Sequence, residues 1–212
     1  MTLSRLTRRF YCRPTLELAP ALLGHWLCRD VGGTVRRGRI VEVEAYTDDP
    51  ASHARGRRRT ARNAVMFGPA GHLYVYFTYG MHYCANVVAD REGEPGAVLI
   101  RGLDEITGAN GPGRLCRALA IDRELDGLDL STSPVLWIAR GRRRPGEFVV
   151  QTTRVGIRHA AELRWRFYLS DSRGVSRPDR RAEAACRIAA NGRRSHASAP
   201  STLASTGRRV TQ

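Results

Sequence analysis

The chain has 212 residues, of which 42% are hydrophobic, and it carries 35 basic against 20 acidic side chains for a net charge of +15. That length and apolar share suit one globular domain with an adequate core, and the charge makes nucleic acid the natural partner. No apolar run approaches the roughly 20 residues that span a bilayer, and Met1 to Arg9 lacks the apolar stretch of a secretory signal, so no membrane association is expected.

All the basic residues are arginine, since the chain contains no lysine. A genome-wide coding bias would explain arginine over lysine, but not the excess over acids. Cys12, Cys28, Cys84, Cys116 and Cys186 are odd in number, scattered, and form no CxxC pair. This argues against a zinc site and a disulfide framework and for a reducing cytoplasm. The six histidines supply neither HExxH nor HxE…CxxC, so zinc hydrolase or deaminase chemistry is not indicated. Neither a metal nor a cofactor is expected.

Leu3 to Phe10 reads as a basic arm. Pro14 to Leu27 has helical apolar spacing, with Pro20 as a possible helix start. Leu27–Val31 and Arg37–Tyr46 read as strands around a Gly32-Gly33 turn. Thr47 to Phe67 is a long polar connection rich in arginine, of the kind that is usually functional or mobile in a compact domain. Strands follow at Leu73–Phe77, Tyr83–Val88 and Gly96–Leu103, then a Gly-rich turn at 108–113 and a short helix near Leu115–Ala120. Val135–Ala139, Phe148–Thr152 and Arg166–Leu169 read as later strands. From Asp171 the sequence turns to Arg, Ser and Ala, with nine arginines against three acids over 171–212. That tail is expected to be largely disordered apart from a possible short helix at Ala182–Ala190.

The densest chemistry lies in HLYVYFTYGMHYCAN, residues 72–86, which holds four of the seven tyrosines. Strand alternation puts Leu73, Val75, Phe77 and Tyr79 on one face and Tyr74, Tyr76 and Thr78 on the other. Gly80 breaks the run at hairpin distance. A buried aromatic strand is the commoner meaning of such a composition; in a strongly basic chain it also suits flat rings handling nucleobases. Upstream, Glu42, Glu44 and Tyr46 share one strand face, which on its own would usually be solvated.

LYVYFTYGMHYCAN, together with RIVEVEAYTDDPASHARGRRRTARNAVMF upstream and NGPGRLCRAL downstream, closely resembles the alkyladenine (3-methyladenine) DNA glycosylase family in its bacterial form. The resemblance runs from about Leu16 to Ser170, in order and spacing. It implies a mixed α/β (α+β) fold: a single domain over residues 1–170, with a curved antiparallel β-sheet and a protruding β-hairpin that inserts into DNA. The basic tail, 171–212, falls outside that pattern.

The resemblance also implies the site. Glu44 of the E-A-Y motif would activate the attacking water and stabilise the positive sugar, with Arg101 placing water and phosphate. Tyr46 and Tyr76 would sandwich the extruded base, and His53 would close the pocket. Asn86 would disfavour normal guanine, and a backbone carbonyl near Val155 would complete the water site. Tyr79 would be the minor-groove wedge with Met81 beside it. Arg58, Thr60, Arg62 and Asn63 would form a phosphate and pocket-edge cluster that positions without specifying. Glu42 matches no catalytic role and is expected to be structural. The implied partner is double-stranded DNA containing a damaged purine, met by a monomer in the cytoplasm at the nucleoid. With no lysine to form a Schiff base, a base-releasing enzyme that uses water is expected. The alternatives are a non-catalytic damaged-DNA-binding protein and an RNA-modifying enzyme; the second would meet a wide, shallow minor groove instead.

Overall fold

The structure, a computed structural model, describes residues 3–196. Its eight strands are β1 (Trp26–Val31), β2 (Thr34–Tyr46), β3 (Leu73–Thr78), β4 (His82–Val88), β5 (Ala97–Asp104), β6 (Leu136–Ala139), β7 (Val149–Thr152) and β8 (Arg166–Leu169). Every ladder is antiparallel, in the order β3-β4-β5-β2-β1-β6, and β8 joins β2 at Glu42–Glu44 with β7 outside it. The sheet curves into a half-barrel around β2, the 13-residue spine that every other ladder reaches directly or through one or two neighbours.

Local chemistry explains the punctuation. Gly32 and Gly33 both take positive φ (59° and 82°), the backbone that a two-residue hairpin between twisted strands requires. Four α-helices flank the sheet: α1 (Arg8–Tyr11), α2 (Thr15–Leu22), α3 (Pro112–Ala118) and α4 (Arg180–His196). Helix α2 buries Leu18 and Leu22 completely, each contributing about 1.5–3 kcal/mol of apolar burial. Pro20 lies in its last turn rather than at its start. Lacking an N–H, it cannot continue the ladder, and the helix stops two residues later. Helix α3 opens with proline at its first position, where the missing N–H costs nothing.

Strand β3 faces two cores. Leu73 and Val75 enter the main cluster with Ile40, Val43, Val87 and Ile100, whereas Tyr74 joins a smaller one with Ala54, Met66, Phe67 and Val88, against which Tyr76 packs. The expected alternation therefore holds along β3, but both of its faces are covered. At its far end β3 turns through Tyr79, Gly80 and Met81 into β4, with Thr78 opposite His82.

The β2–β5 ladder is irregular at two points. Ile40 pairs with Leu103 and Glu42 with Gly102, so Val41 is extra on β2; Val43 then pairs with Ile100, so Arg101 is extra on β5. Such bulges re-aim side chains next to functional sites. One strand step away, the buried Arg39 is held by Asp104 at 2.9 Å and Glu147 at 2.6 Å.

The segment beginning at Asp171 differs from expectation. Over 171–196 it is folded: Gly174 N–H donates to Asp104 at 2.8 Å, Asp179 accepts from Thr152 at 2.5 Å, and α4 follows. Its small and polar residues make these contacts through main-chain and short side-chain groups, which apolar periodicity does not register. Residues 197–212 of the tail lie outside the described residues.

Candidate active site

Glu44 lies just behind a cavity, bonded to three residues that line it. It is fully buried, on the half of β2 flanked by β5 and β8. Its Oε1 accepts from the Val155 N–H at 2.7 Å, and its Oε2 accepts from the Tyr46 hydroxyl at 2.7 Å and from Arg101 Nη1 at 3.4 Å. Burial raises the Glu44 pKa above the ordinary carboxylate value, against the opposing pull of Arg101, Val155 and Tyr46. Burial would weaken the Arg101 guanidinium, but Glu44 and Glu42 more than compensate and hold its proton tighter than usual. The pair is buried and hydrogen-bonded, and its carboxylate is a stronger base than a solvated one.

Above it lies a cavity of about 220 Å³ lined by Tyr46, His53, Tyr76, Asn86, Arg101 and Val155, among others. Pockets for drug-sized ligands run to roughly 300–1,000 Å³, so this one suits a single flat ring system. His53 stacks edge-on to Tyr76 at 4.5 Å, and its Nδ1 lies 2.8 Å from the Tyr74 hydroxyl. Lost hydration, and then the Arg62 charge, lower the His53 pKa from 6.5 to about 4. The residue as a whole is exposed to solvent. Asn86 donates to the Tyr74 carbonyl at 3.0 Å and the Cys84 carbonyl at 3.3 Å, which fixes its amide and leaves Oδ1 to meet a ligand. Cys84 also lines the cavity, and burial raises its thiol pKa, so it stays protonated and unreactive.

The expected residues do not all fall where the motifs suggest. Val155 meets Glu44 through its amide N–H, a contact that the motif does not foretell. Asn63 is buried: its amide donates to the His53 and Arg58 carbonyls at 2.8 and 2.9 Å, and its Oδ1 accepts from the Thr60 N–H at 2.6 Å. It staples the 53–63 loop from a buried position in the wall of a second, open pocket. Arg58, Thr60 and Arg62 are exposed on that loop; Arg62 reaches the Phe77 carbonyl at 3.3 Å and lies over the Tyr76 ring at 5.8 Å. Tyr79 is 81% and Met81 68% exposed at the β3–β4 turn, and Tyr79 takes a positive φ of 52°.

Several residues with no motif signal join the site. Arg154 is buried against Asp49 at 2.7 Å, and its guanidinium lies 4.7 Å from the centre of the Tyr46 ring, outside the cavity. Arg158 and His159 face Arg55, Thr60 and Arg62 across a second opening that shares Ser52 and His53 with the cavity. The periodicity of a loop gives no hint of such cross-chain neighbours. A larger open groove of about 1120 Å³ on another face mixes Arg13, Arg57 and Arg91 with Asp48, Glu92 and Glu94, and holds none of these groups. Among the described residues no cluster of three or more His, Cys, Asp or Glu could hold a metal, and no helix is long and apolar enough to cross a membrane.

The site is thus an aromatic slot backed by a buried carboxylate–arginine pair and edged by an arginine-rich loop. Residues 9–173 match the model of the methylpurine-DNA glycosylase family, and the chain belongs to that family. It is 51% identical over 179 residues to a protein of Synechococcus elongatus, covering 81% of this chain and 91% of that one. It is 45% identical over 189 residues to one of Carboxydothermus hydrogenoformans, covering 81% and 98%. A protein of Methanoculleus marisnigri is 46% identical over 193 residues, covering 81% and 98%. All three bear the name "Putative 3-methyladenine DNA glycosylase".

Proposed function

We propose that this protein is a monofunctional DNA glycosylase that hydrolyses the N-glycosidic bond of alkylated or deaminated purines in duplex DNA. The observation that carries the reading is Glu44: a buried carboxylate whose three donors, Val155, Tyr46 and Arg101, all line a tyrosine-rich slot. In this reading the damaged nucleotide leaves the stack and its base enters between Tyr46 and Tyr76. Tyr79 fills the gap through the minor groove, offsetting an unstacking cost of about a few kcal/mol. Stacking accepts many bases and favours cationic alkylated ones. Asn86, unable to swing aside, crowds the 2-amino group of normal guanine.

Water then attacks C1′ while Glu44 takes its proton, and the C1′–N bond breaks with its electron pair leaving on the base. The carboxylate and its neighbours stabilise the oxocarbenium-like sugar meanwhile. A raised carboxylate pKa makes Glu44 a stronger base than a solvated glutamate. Arg101 orients the water and the nucleotide phosphate. The product is a base-free sugar in an intact strand, because the chain has no lysine to trap the aldehyde and cut. Residues 1–170 would form the catalytic unit, acting as a monomer in the cytoplasm at the nucleoid.

Single-turnover release from duplexes holding one hypoxanthine or one alkylated purine, read by alkali cleavage of the abasic site, tests this. Release by the wild type without spontaneous strand cutting, lost in Glu44→Gln, is the expected result. Binding without release from either duplex would refute it.

A further inference from the structure

Arg101 has three guanidinium nitrogens and three partners. Nε lies 3.2 Å from Glu42 Oε1 and 3.4 Å from Glu44 Oε1, Nη2 donates to Ser176 Oγ at 3.2 Å, and Nη1 reaches Glu44 Oε2 at the same long 3.4 Å. Ser176 in turn donates its hydroxyl to Glu42 Oε1 at 3.0 Å and its amide to Oε2 at 2.6 Å. Arg166 on β8 adds a further bond to Glu42 Oε1 at 3.0 Å. Glu42 is fully buried and does not line the cavity. We propose that Glu42 and Ser176 form a clamp that positions Arg101, an inference that rests on the glycosylase reading of Glu44.

The chemistry of the pair explains the need. An unrestrained arginine next to a carboxylate closes to a two-pronged contact of about 2.7–2.9 Å. That would occupy the oxygens of Glu44 and lower its basicity when it must take a proton from water. Glu42 pulls the guanidinium the other way and Ser176 pins its far nitrogen. The result is a cation near enough to steady developing charge, but held off the base.

The fold is built to bring Ser176 there. A Cβ on Gly102 would fall 2.1 Å from the Gly174 carbonyl oxygen, and one on Gly174 2.3 Å from that of Leu103. Both glycines therefore permit the 174–176 strap to lie directly on β5 beside Arg101. The strap is fixed on either side by Gly174 N–H to Asp104 and by Arg166 to the Arg177 carbonyl at 2.7 Å. It lies just past residue 173, where the match to the family model ends. Glu42 and Ser176 are positioning residues: neither reaches the cavity.

The test uses the full chain with Glu42→Gln, Ser176→Ala and Ser176→Thr, on the hypoxanthine and alkylated-purine duplexes. The first two should lose about ten- to a hundredfold in single-turnover rate, the size typical when a group that orients another is removed. Duplex Kd should stay within about twofold, a split that loss of folding would not give. Ser176→Thr, which keeps the hydroxyl, should restore the rate. Unchanged rates in both disabling variants, or a rate that falls only in step with Kd, would overturn the clamp. If Glu42→Gln fails to fold, Ser176→Ala, which retains the main-chain bond to Glu42, decides alone. The Arg101 Nε–H resonance provides a readout free of activity: slow to exchange in wild type and Ser176→Thr, fast in Ser176→Ala. If the wild type releases neither base, the glycosylase reading fails while this signal still decides the clamp; equal exchange in all three proteins refutes it.

Discussion

The Tyr46 hydroxyl donates to Glu44 Oε2 at 2.7 Å, so the ring that would cover a base and the carboxylate that would activate water are one hydrogen-bonded unit. The bond favours the ionised form of Glu44, opposing the rise that burial imposes. Removing it in Tyr46→Phe leaves the stacking face in place and raises the Glu44 pKa further. Because the ionised form is the active base, the acidic limb of the single-turnover pH–rate profile should move to higher pH. A limb that stays put or moves down would break the link between the two residues.

Glu44→Gln should separate activity from stability. Release should fall by about a hundredfold or more, as expected on losing a general base, with lesion binding retained. The carboxylate pKa is raised in the folded state, so between the ordinary carboxylate value and that raised value the native state holds more protons than the unfolded one. The ionised carboxylate therefore costs stability as pH climbs through that window. The variant should melt higher than wild type at neutral pH, with the gap closing below the ordinary carboxylate range. Thermal melts at several pH values read this directly, and a lower Tm at neutral pH would contradict it.

Tyr79→Ala should leave the fold alone and weaken lesion recognition. The ring is 81% exposed, so stability should shift by less than about 0.5 kcal/mol. Filling a base-sized gap is worth about 1–3 kcal/mol by analogy with base–aromatic stacking, which predicts roughly tenfold weaker binding to the lesion duplex. Tyr79→Trp should keep most of the affinity. Titration of a labelled duplex distinguishes the three proteins.

His25 should make the opposite edge of the sheet acid-sensitive. Its Nδ1 accepts from the Gly141 N–H at 2.9 Å, which a protonated ring cannot do. Burial, then Arg140 and Arg13, lower its pKa from 6.5 to about 4. A depressed histidine adds stability that is present above its unfolded value and is lost as pH falls through the window toward the folded one. His25→Asn, which keeps an acceptor without a titration, should flatten the fall in Tm between pH 6.5 and about 4. An unchanged slope would place the acid sensitivity elsewhere.

The sequence was a good guide where chemistry is local. The hairpin glycines, the strands through β8 and the tyrosine face of β3 all follow from residue type and a period of two. Tyr46, His53, Tyr76, Asn86 and Arg101 do line one cavity with Val155, and Glu44 lies buried behind it, bonded to Tyr46. What could not be read was made by distant contacts. Alternation placed Glu42 beside Glu44 but could not show that Arg166 and Ser176, 124 and 134 positions on, would hold it. The bulge that re-aims Arg101 depends on the pairing of two strands. Asn63 carried a polar motif, and only the path of its loop reveals that its hydrogen bonds point inward. The 171–196 segment lacked apolar rhythm because it docks through main-chain and short polar groups, with Val175, Ala182 and Cys186 adding small apolar contacts.

Strand β3 constrains how this protein can change over evolutionary time. Leu73 and Val75 belong to the main core while Tyr74 and Tyr76 belong to the pocket side, and the two sets alternate. Inserting or deleting one residue within Leu73–Phe77 would exchange them, sending tyrosine hydroxyls into the hydrocarbon core and aliphatic chains into the cavity. Single-residue length changes there should be purged, whereas the Tyr79–Met81 turn, largely exposed, can change without disturbing either core. If the proposed glycosylase reading holds, the way DNA is probed is therefore easier to retune than the choice of base.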